Sequence, residues 1–465
     1  LGTWRHDRTG RTVRRMSAAR GGSRRGGRRR ASRIDPARLA AYRALRRVSD
    51  DDAFANLTGI EEFSRLEGRD ADFATELLHG TCRLMGTYDR IIAAASGRRL
   101  TALQPEVIDV LRLGAHQVFS MRVPDHAAVA ASVDLAREVI GERVTGLVNA
   151  VTRKLTKDSL DAWTERLSRD ESVFEALAIR HHHPAWIVRS FADALGVGPD
   201  APELAAALEA DNIAPRTALA VRPGLAEVDD LVAHGAEPIP DAPYGAWFSG
   251  DPGRIPEVIT GRAGVQDPGS QRSAQMLAEA TAPDGPWLDI CAGPGGKAAL
   301  LAGLAHEAGT RLVASEKAPH RAELVRQALR TYPTRPPVVV ADGTASPWRA
   351  GAFAKVMADV PCSGLGALRR RPEARWRKTP EDLADLVPLQ RALLGSALEA
   401  LMPGGISAYV TCSPHLPETT GVVEHVLGER SGFSIEYEHQ LWPHRDGTDA
   451  MFCALIRREG PRSST

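Results

Sequence analysis

The sequence predicts a multidomain chain: an all-α N-terminal domain, a small α/β linker subdomain, and a C-terminal α/β domain of the doubly wound, Rossmann-like kind. Three observations carry this expectation. Apolar residues recur every three or four positions from Pro36 to about Thr156. The stretch Trp287-Leu-Asp-Ile-Cys291-Ala292-Gly293-Pro294-Gly295-Gly296-Lys297 reads as a buried strand entering a glycine-rich turn and then a helix. Three further short apolar runs close on Glu316, Asp342 and Asp359. Boundaries follow at 1–34 for an Arg-rich tail, 35–156 for the helical domain, 157–265 for the linker subdomain and 266–460 for the α/β domain.

A chain of 465 residues with 43% hydrophobic content has room for two or three cores. Its longest apolar stretches are interrupted well short of a membrane span, and no signal-peptide core follows the basic start. The five cysteines, Cys82, Cys291, Cys362, Cys412 and Cys453, lack disulfide or metal-ligand spacing. That pattern points to a reducing, cytoplasmic setting without a metal. Residues 1–33 hold twelve arginines against Asp7 alone, whereas the whole chain carries only +1, so the remainder is acidic. Such a tail cannot bury enough apolar surface to fold. It either holds phosphate by charge or is a dispensable extension, with Met16 then the first residue of the functional chain.

Along the chain, Asp35-Pro36 opens the first helix, with Ala40, Ala44, Leu45 and Val48 on one face. His181-His182-His183 is expected at a helix entry, because three adjacent imidazoles cannot face one ion from a helix or strand. Short strands are expected at 214–223, 245–250 and 257–265, and a helix at 273–280. The carboxylate of Glu316 lies about twenty residues beyond the glycines, the offset at which an acidic group meets a ribose in doubly wound folds. With Asp342 and Asp359 it outlines a nucleoside crevice.

Chemistry concentrates after the fourth of these strands. Asp359-Val-Pro-Cys362 puts a carboxylate and a thiol on one loop, and a fifth strand at 405–411 ends on Cys412. Between them Arg369, Arg370, Arg371, Arg375, Trp376, Arg377 and Lys378 form a basic run, expected to clamp a phosphate backbone beside the pocket. Carbon 5 of a pyrimidine is a poor nucleophile. Methylating it requires a thiolate to add at carbon 6, making an enamine that attacks a sulfonium methyl. A second thiol serves to remove the carbon-5 proton before elimination, and a carboxylate on the base edge stabilises the addition. Cys362 and Cys412 supply both thiol roles, and the arrangement alone does not say which is which.

The segments "LDICAGPGGK", "ADVPCSGLG", "YVTCSPHLPE" and "WPHRDGTDAMF" resemble the Nop/Sun family of RNA cytosine-C5 methyltransferases. The front end, at "LRLGAHQ", "HAAVAASVDLA" and "GLVNAVTRKL", is similar to the NusB-type RNA-binding module, which places the likeness in the Sun/Fmu branch acting on small-subunit (16S) ribosomal RNA. The resemblance spans about 36–457. It implies S-adenosyl-L-methionine as cofactor, bound by Cys291 to Lys297, Glu316, Asp342 and Asp359. It also implies Cys412 as nucleophile, Cys362 in product release and Asp359 on the target cytosine. Partners would be 16S ribosomal RNA, free or in an assembling subunit, with the protein acting as a monomer. Transfer RNA or 23S ribosomal RNA are alternative substrates. Departures are Gly293 and Ala298, where the family has Ala and Thr, Thr419-Thr420 in place of a Glu-Asn ending, and Ala450-Met451 within Asp449-Ala-Met-Phe452. The last two bear on the shape of the base pocket. An amino-methyltransferase leaves Cys412 unexplained, and a non-catalytic assembly or antitermination factor has no need of two thiols at the crevice.

Overall fold

The computed structural model describes residues 34–51, 53–345 and 347–460; the Arg-rich tail lies outside them. Helices Pro36–Asp50, Ala55–Phe63, Arg69–Ser96, Pro105–Phe119, Asp125–Val139 and Thr145–Leu155 form the N-terminal part. The first begins where Asp35 accepts from the Ala37 amide at 2.9 Å with Pro36 in the first turn. Leu45, Leu77, Leu78, Ile91, Leu111, Leu113 and Val148 bury the stripe that the helical spacing foretold in one shared core.

Four more helices follow, Leu160–Ser168, Val173–Arg180, Ala185–Leu195 and Pro202–Ala210. The three histidines sit in the turn between the second and third of these, at a helix entry as expected. Ile187, Phe191, Leu204 and Leu208 pack directly on Leu365, Leu368, Trp442 and Ala450 of the C-terminal part. Strands β1 (Thr217–Val221), β2 (Glu237–Ile239), β3 (Ala242–Phe248) and β4 (Ala263–Val265) make an antiparallel sheet in the order β2-β3-β1-β4. Residues Pro256–Thr260 are helical, although a strand was expected from 257. Pro256 presets the first turn and Gly261, in the left-handed region at φ +80°, ends it.

The C-terminal sheet contains β5 (Trp287–Asp289), β6 (Leu312–Glu316), β7 (Val338–Val340), β8 (Phe353–Asp359), β9 (Leu401–Thr411), β10 (Phe433–Gln440) and β11 (Phe452–Arg458), in the order β10-β11-β9-β8-β5-β6-β7. From β9 to β7 every pairing is parallel; β10 and β11 are added antiparallel. Helices Pro268–Glu279, Gly296–Glu307 and Pro319–Leu329 cover one face, and Leu383–Ala400 and Thr420–Gly428 the other. Successive strand residues feed opposite cores, Met357 one and Val356 and Ala358 the other, which is why these strands read as continuous apolar runs. The helix expected from residue 273 begins at Pro268, because Asp267 caps it by accepting from Gly269 N at 2.9 Å. Helix Leu383–Ala400 continues through Pro388.

Strand order reverses between β5 and β8. Chain leaving β5 runs out to β6 and β7, then returns to β8 on the other side, so the carboxyl ends of β5 and β8 border one crevice. Open α/β sheets bind ligands at such a switch point. The glycine loop follows β5, and the Asp359 to Cys362 loop follows β8. Among the described residues no helix is long and apolar enough to cross a membrane.

Candidate active site

The glycine loop is held by the strand-end carboxylates. A Cβ at Gly293 would stand 2.3 Å from Glu316 Oε2, and Gly295, at φ +115°, would bring one 2.6 Å from the Ala328 side chain. Only glycine permits that approach. Gly293 N donates to Glu316 Oε2 at 3.1 Å and Ala318 N to Oε1 at 2.9 Å, while the Arg321 guanidinium donates to Gly293 O at 2.6 Å. Ala292 N donates to Ser315 O at 2.9 Å, pinning the loop to β6. Pro294 and Gly296 complete the turn, and the helix starting at Gly296 points its free amides at the crevice. Glu316 thus meets the loop, which the spacing foretold only as a ribose partner. Cys291 is packed under the loop, its thiol pushed well up by burial.

Lys297 Nζ donates to Asp359 Oδ2 at 3.0 Å across the switch point. Burial works against the ammonium, but Asp359 beside it outweighs this and holds the lysine above its ordinary value. Asp342 accepts from Lys317 at 2.8 Å and from the Thr344 hydroxyl at 2.7 Å, which pulls its carboxyl down to about 2. Asp289, at the end of β5, was not singled out from the sequence. It is fully buried, accepts from Cys291 N at 3.2 Å through one oxygen, and its other oxygen has no partner. Burial, and then the charge of Asp359, push it up to about 8. The signal that could have found it is the one used for its neighbours, a carboxylate closing an apolar run.

The parallel pairing of β8 with β9 places Asp359 beside Val410, so the loops that leave these strands are adjacent. Cys362 Sγ and Cys412 Sγ lie 3.3 Å apart, both as free thiols and both partly exposed. The hydrogen bond from Cys362 holds Cys412 below the ordinary thiol value; Lys297 and Arg371 add to this, against burial and Asp359. Cys362 is pushed well up by the Cys412 sulfur, by burial and by Glu418. Gly366 N donates to Cys412 O at 2.8 Å, and a Cβ there would stand 2.0 Å from Ala450 O, so the segment with Ala450 and Met451 backs the thiol loop. Behind both loops lies Glu418, with Ser363, Ser413 and Gln390 around it, none of them anticipated. Among the described residues no group of three or more His, Cys, Asp and Glu is arranged to hold a metal.

The basic run does not form the expected clamp. Arg375 is fully buried and donates to His182 O at 2.9 Å, Asn212 Oδ1 at 2.7 Å and Asp211 O at 3.0 Å. Arg377 donates to Val48 O and Ala53 O, and the Trp376 indole to Cys82 O at 2.9 Å, its ring seated where a Cβ at Gly86 would collide at 2.2 Å. Arg369 and Arg370 turn to Asp449, and Arg370 also to Asp267 at 2.6 Å. These side chains fasten the catalytic sheet to the helices before it. Of the run's arginines, Arg371 is the exposed one, over the Phe54 ring.

Comparisons with known proteins bear on the family and the fold. Residues 275–457 match the family model described as 16S rRNA methyltransferase RsmB/F, and residues 35–157 match the NusB family. The "Putative methyltransferase MT1451" of Mycobacterium tuberculosis is 44% identical over 448 residues, covering 91% of this chain and 97% of its own. The ribosomal RNA small subunit methyltransferase B of Sodalis glossinidius is 28% identical over 403 residues, covering 84% and 89%. The crystal structure of PH0851 shares the fold, with a TM-score of 0.75 at 20% identity over 91% of this chain and 99% of that one. The matched family models and the 44% identical relative spanning 91% of this chain place it in the RsmB/F family of RNA methyltransferases.

Proposed function

We propose that the chain methylates carbon 5 of a cytosine in 16S ribosomal RNA through a covalent cysteine adduct, with S-adenosyl-L-methionine as methyl donor. The observation that carries this reading is the contact of 3.3 Å between Cys362 and Cys412 at the mouth of a nucleoside crevice. The residues present suit that cofactor. A Cβ at Gly296 would meet nothing nearer than Gln266 at 3.8 Å, which leaves the mouth of the loop open, the helix there offers free amides, and Asp289 keeps an unpartnered carboxylate oxygen. Residues Cys291 to Lys297 with Glu316, Asp342 and Asp359 would hold it, and when bound it supplies an electrophilic sulfonium methyl.

Cys412 is the sulfur that ionises, since the hydrogen bond shared with Cys362 and the charge of Lys297 lower it, whereas Glu418 bears on Cys362. Its thiolate adds to carbon 6 of the cytosine and makes carbon 5 nucleophilic. Asp359, held by Lys297, accepts from the base edge and stabilises the adduct. With Cys412 held in the adduct, Cys362 gives its thiol proton to solvent and, as a thiolate, takes the proton from carbon 5 once the methyl is in place; the Cys412–carbon bond then breaks and returns Cys412 as thiolate. The target base must leave its stack to reach the thiols, so loops and junctions are better substrates than continuous duplex. The homologues named as small-subunit methyltransferases support 16S RNA over transfer RNA or 23S RNA.

The test is transfer of labelled methyl to unmethylated 16S RNA, free and in subunits, with the product nucleoside identified by mass spectrometry. 5-Methylcytidine at a single position is expected. Methyl on an exocyclic nitrogen would overturn the cysteine mechanism, and transfer only to transfer RNA or 23S RNA would overturn the substrate.

A further inference from the structure

A fully buried carboxylate is costly unless its oxygens are bonded, and Glu418 sits where that cost has a use. One oxygen accepts from Ser363 N at 2.7 Å and Gln390 Nε2 at 3.1 Å; the other accepts from the hydroxyls of Ser363 at 2.6 Å and Ser413 at 2.9 Å. Burial opposes the charge, but the His415 ring 3.6 Å away and hydrogen bonds from Ser363 and Ser413 outweigh it and keep the carboxyl below its ordinary range. Each serine directly follows one of the paired cysteines. The two loops are fifty residues apart in the chain, and Glu418 joins them from behind. Gln390 also donates to Pro361 O at 2.9 Å, and the Tyr409 hydroxyl donates to Glu418 O at 2.8 Å, so the carboxylate is anchored to β9 and to helix Leu383–Ala400.

We propose that Glu418 is a positioning residue that ties Ser363 to Ser413, fixes the two sulfurs in contact, and directs the negative charge of the pair onto Cys412. Its own charge bears on Cys362, which has no cation among its influences in the described residues, whereas at Cys412 Lys297 and Arg371 oppose the charge of Asp359. The inference rests on the reading of Cys412 as the nucleophile, but its test needs neither RNA nor cofactor.

Initial alkylation rates of Cys362 and Cys412 by iodoacetamide are measured peptide by peptide in the full, reduced chain. In the parent protein Cys412 is expected to react faster, and a faster Cys362 overturns the proposal. Glu418→Gln keeps shape and hydrogen-bonding groups but removes the charge, and is expected to lower the Cys412-to-Cys362 rate ratio by about tenfold, one pKa unit of preference. Glu418→Asp, which keeps the charge, restores most of the ratio. An unchanged ratio in a Glu418→Gln protein that unfolds at the parent temperature overturns the proposal. Should that variant not fold, Ser363→Ala decides: disulfide formation between Cys362 and Cys412 under oxidised glutathione slows several-fold if the tie holds the sulfurs together, and an unchanged rate overturns it. If alkylation behaves as expected while no 5-methylcytidine forms, the proposed function fails and the positioning role stands.

Discussion

The crevice and the junction between the helical front and the sheet are both built from buried or half-buried charge, and they use it in opposite ways. At the crevice, Asp359 has 28% of its side chain exposed and the two sulfurs remain partly open. At the junction, Arg375 is 0% exposed and gives three hydrogen bonds to atoms of His182, Asp211 and Asn212. Charge that serves a ligand is left accessible, and charge that serves the fold is turned inward on the chain's own carbonyls. The same residue types, read from sequence, carry no mark of which use applies.

The sharpest way to separate the regions is to damage each and ask what fails. Cys412→Ala is expected to lower methyl transfer by about 10^4-fold or more, as loss of a covalent nucleophile does. It should leave the unfolding free energy within about 1 kcal/mol, since the site is partly open. Labelled-methyl transfer and urea unfolding check the two halves. A pH profile tests the same sulfur. Because Cys412 is held below its ordinary value of 9.0, the thiolate is present above its folded pKa and is lost as pH falls through it. The acid limb for single-turnover formation of the RNA adduct should therefore lie below pH 9.0 in the parent and move up in Cys362→Ala, which loses the hydrogen bond between the sulfurs but keeps the attacking one. A limb at or above the ordinary thiol value would remove the electrostatic argument for this nucleophile.

Arg375→Leu is the counterpart at the junction. It leaves two carbonyls and the Asn212 side chain without their donor, and breaking a buried charged network costs about 3–5 kcal/mol. Reduced urea midpoint with unaltered cofactor affinity is expected in whatever fraction remains folded. Loss of cofactor binding at parent stability would show that the arginine belongs to the crevice. Next in size, Asp359→Asn removes the carboxylate that Lys297 meets at 3.0 Å and should lower kcat by about 10²–10³-fold, the range for one electrostatic group aimed at a developing charge.

These contrasts explain what was legible in the sequence. The crevice was readable because its parts are local: a glycine turn, and carboxylates or thiols that each end a strand. Period and spacing show such features directly, and Asp289 was passed over although it obeys the same pattern. The junction was not readable, because Arg377 finds its acceptors at Val48 and Ala53, more than three hundred residues earlier. Glu418 stayed hidden for the same reason, since the serine it joins is 55 residues away. Strand β10 was missed although Phe433, Ile435 and Tyr437 alternate along it; its polar, exposed intervening residues mark an edge strand, and a register shift between Ile435 and Tyr437 breaks the period.

Arg371 gives the smallest effect and the finest test of the comparison, because it belongs to the junction by position and to the crevice by exposure. It lies over the Phe54 ring, with 5.1 Å from guanidinium carbon to ring centroid, and its charge reaches Cys412. An exposed cation–π contact contributes about 0.5–1 kcal/mol, so Arg371→Gln should shift the unfolding free energy by no more than that. If its charge faces RNA, the same change should raise KM for RNA several-fold and reduce the slope of log affinity against log salt by about one, leaving cofactor affinity alone. An altered unfolding midpoint with an unchanged salt slope would assign Arg371 to the junction with its neighbours, and would leave the thiol crevice to find its phosphate contacts elsewhere on the surface.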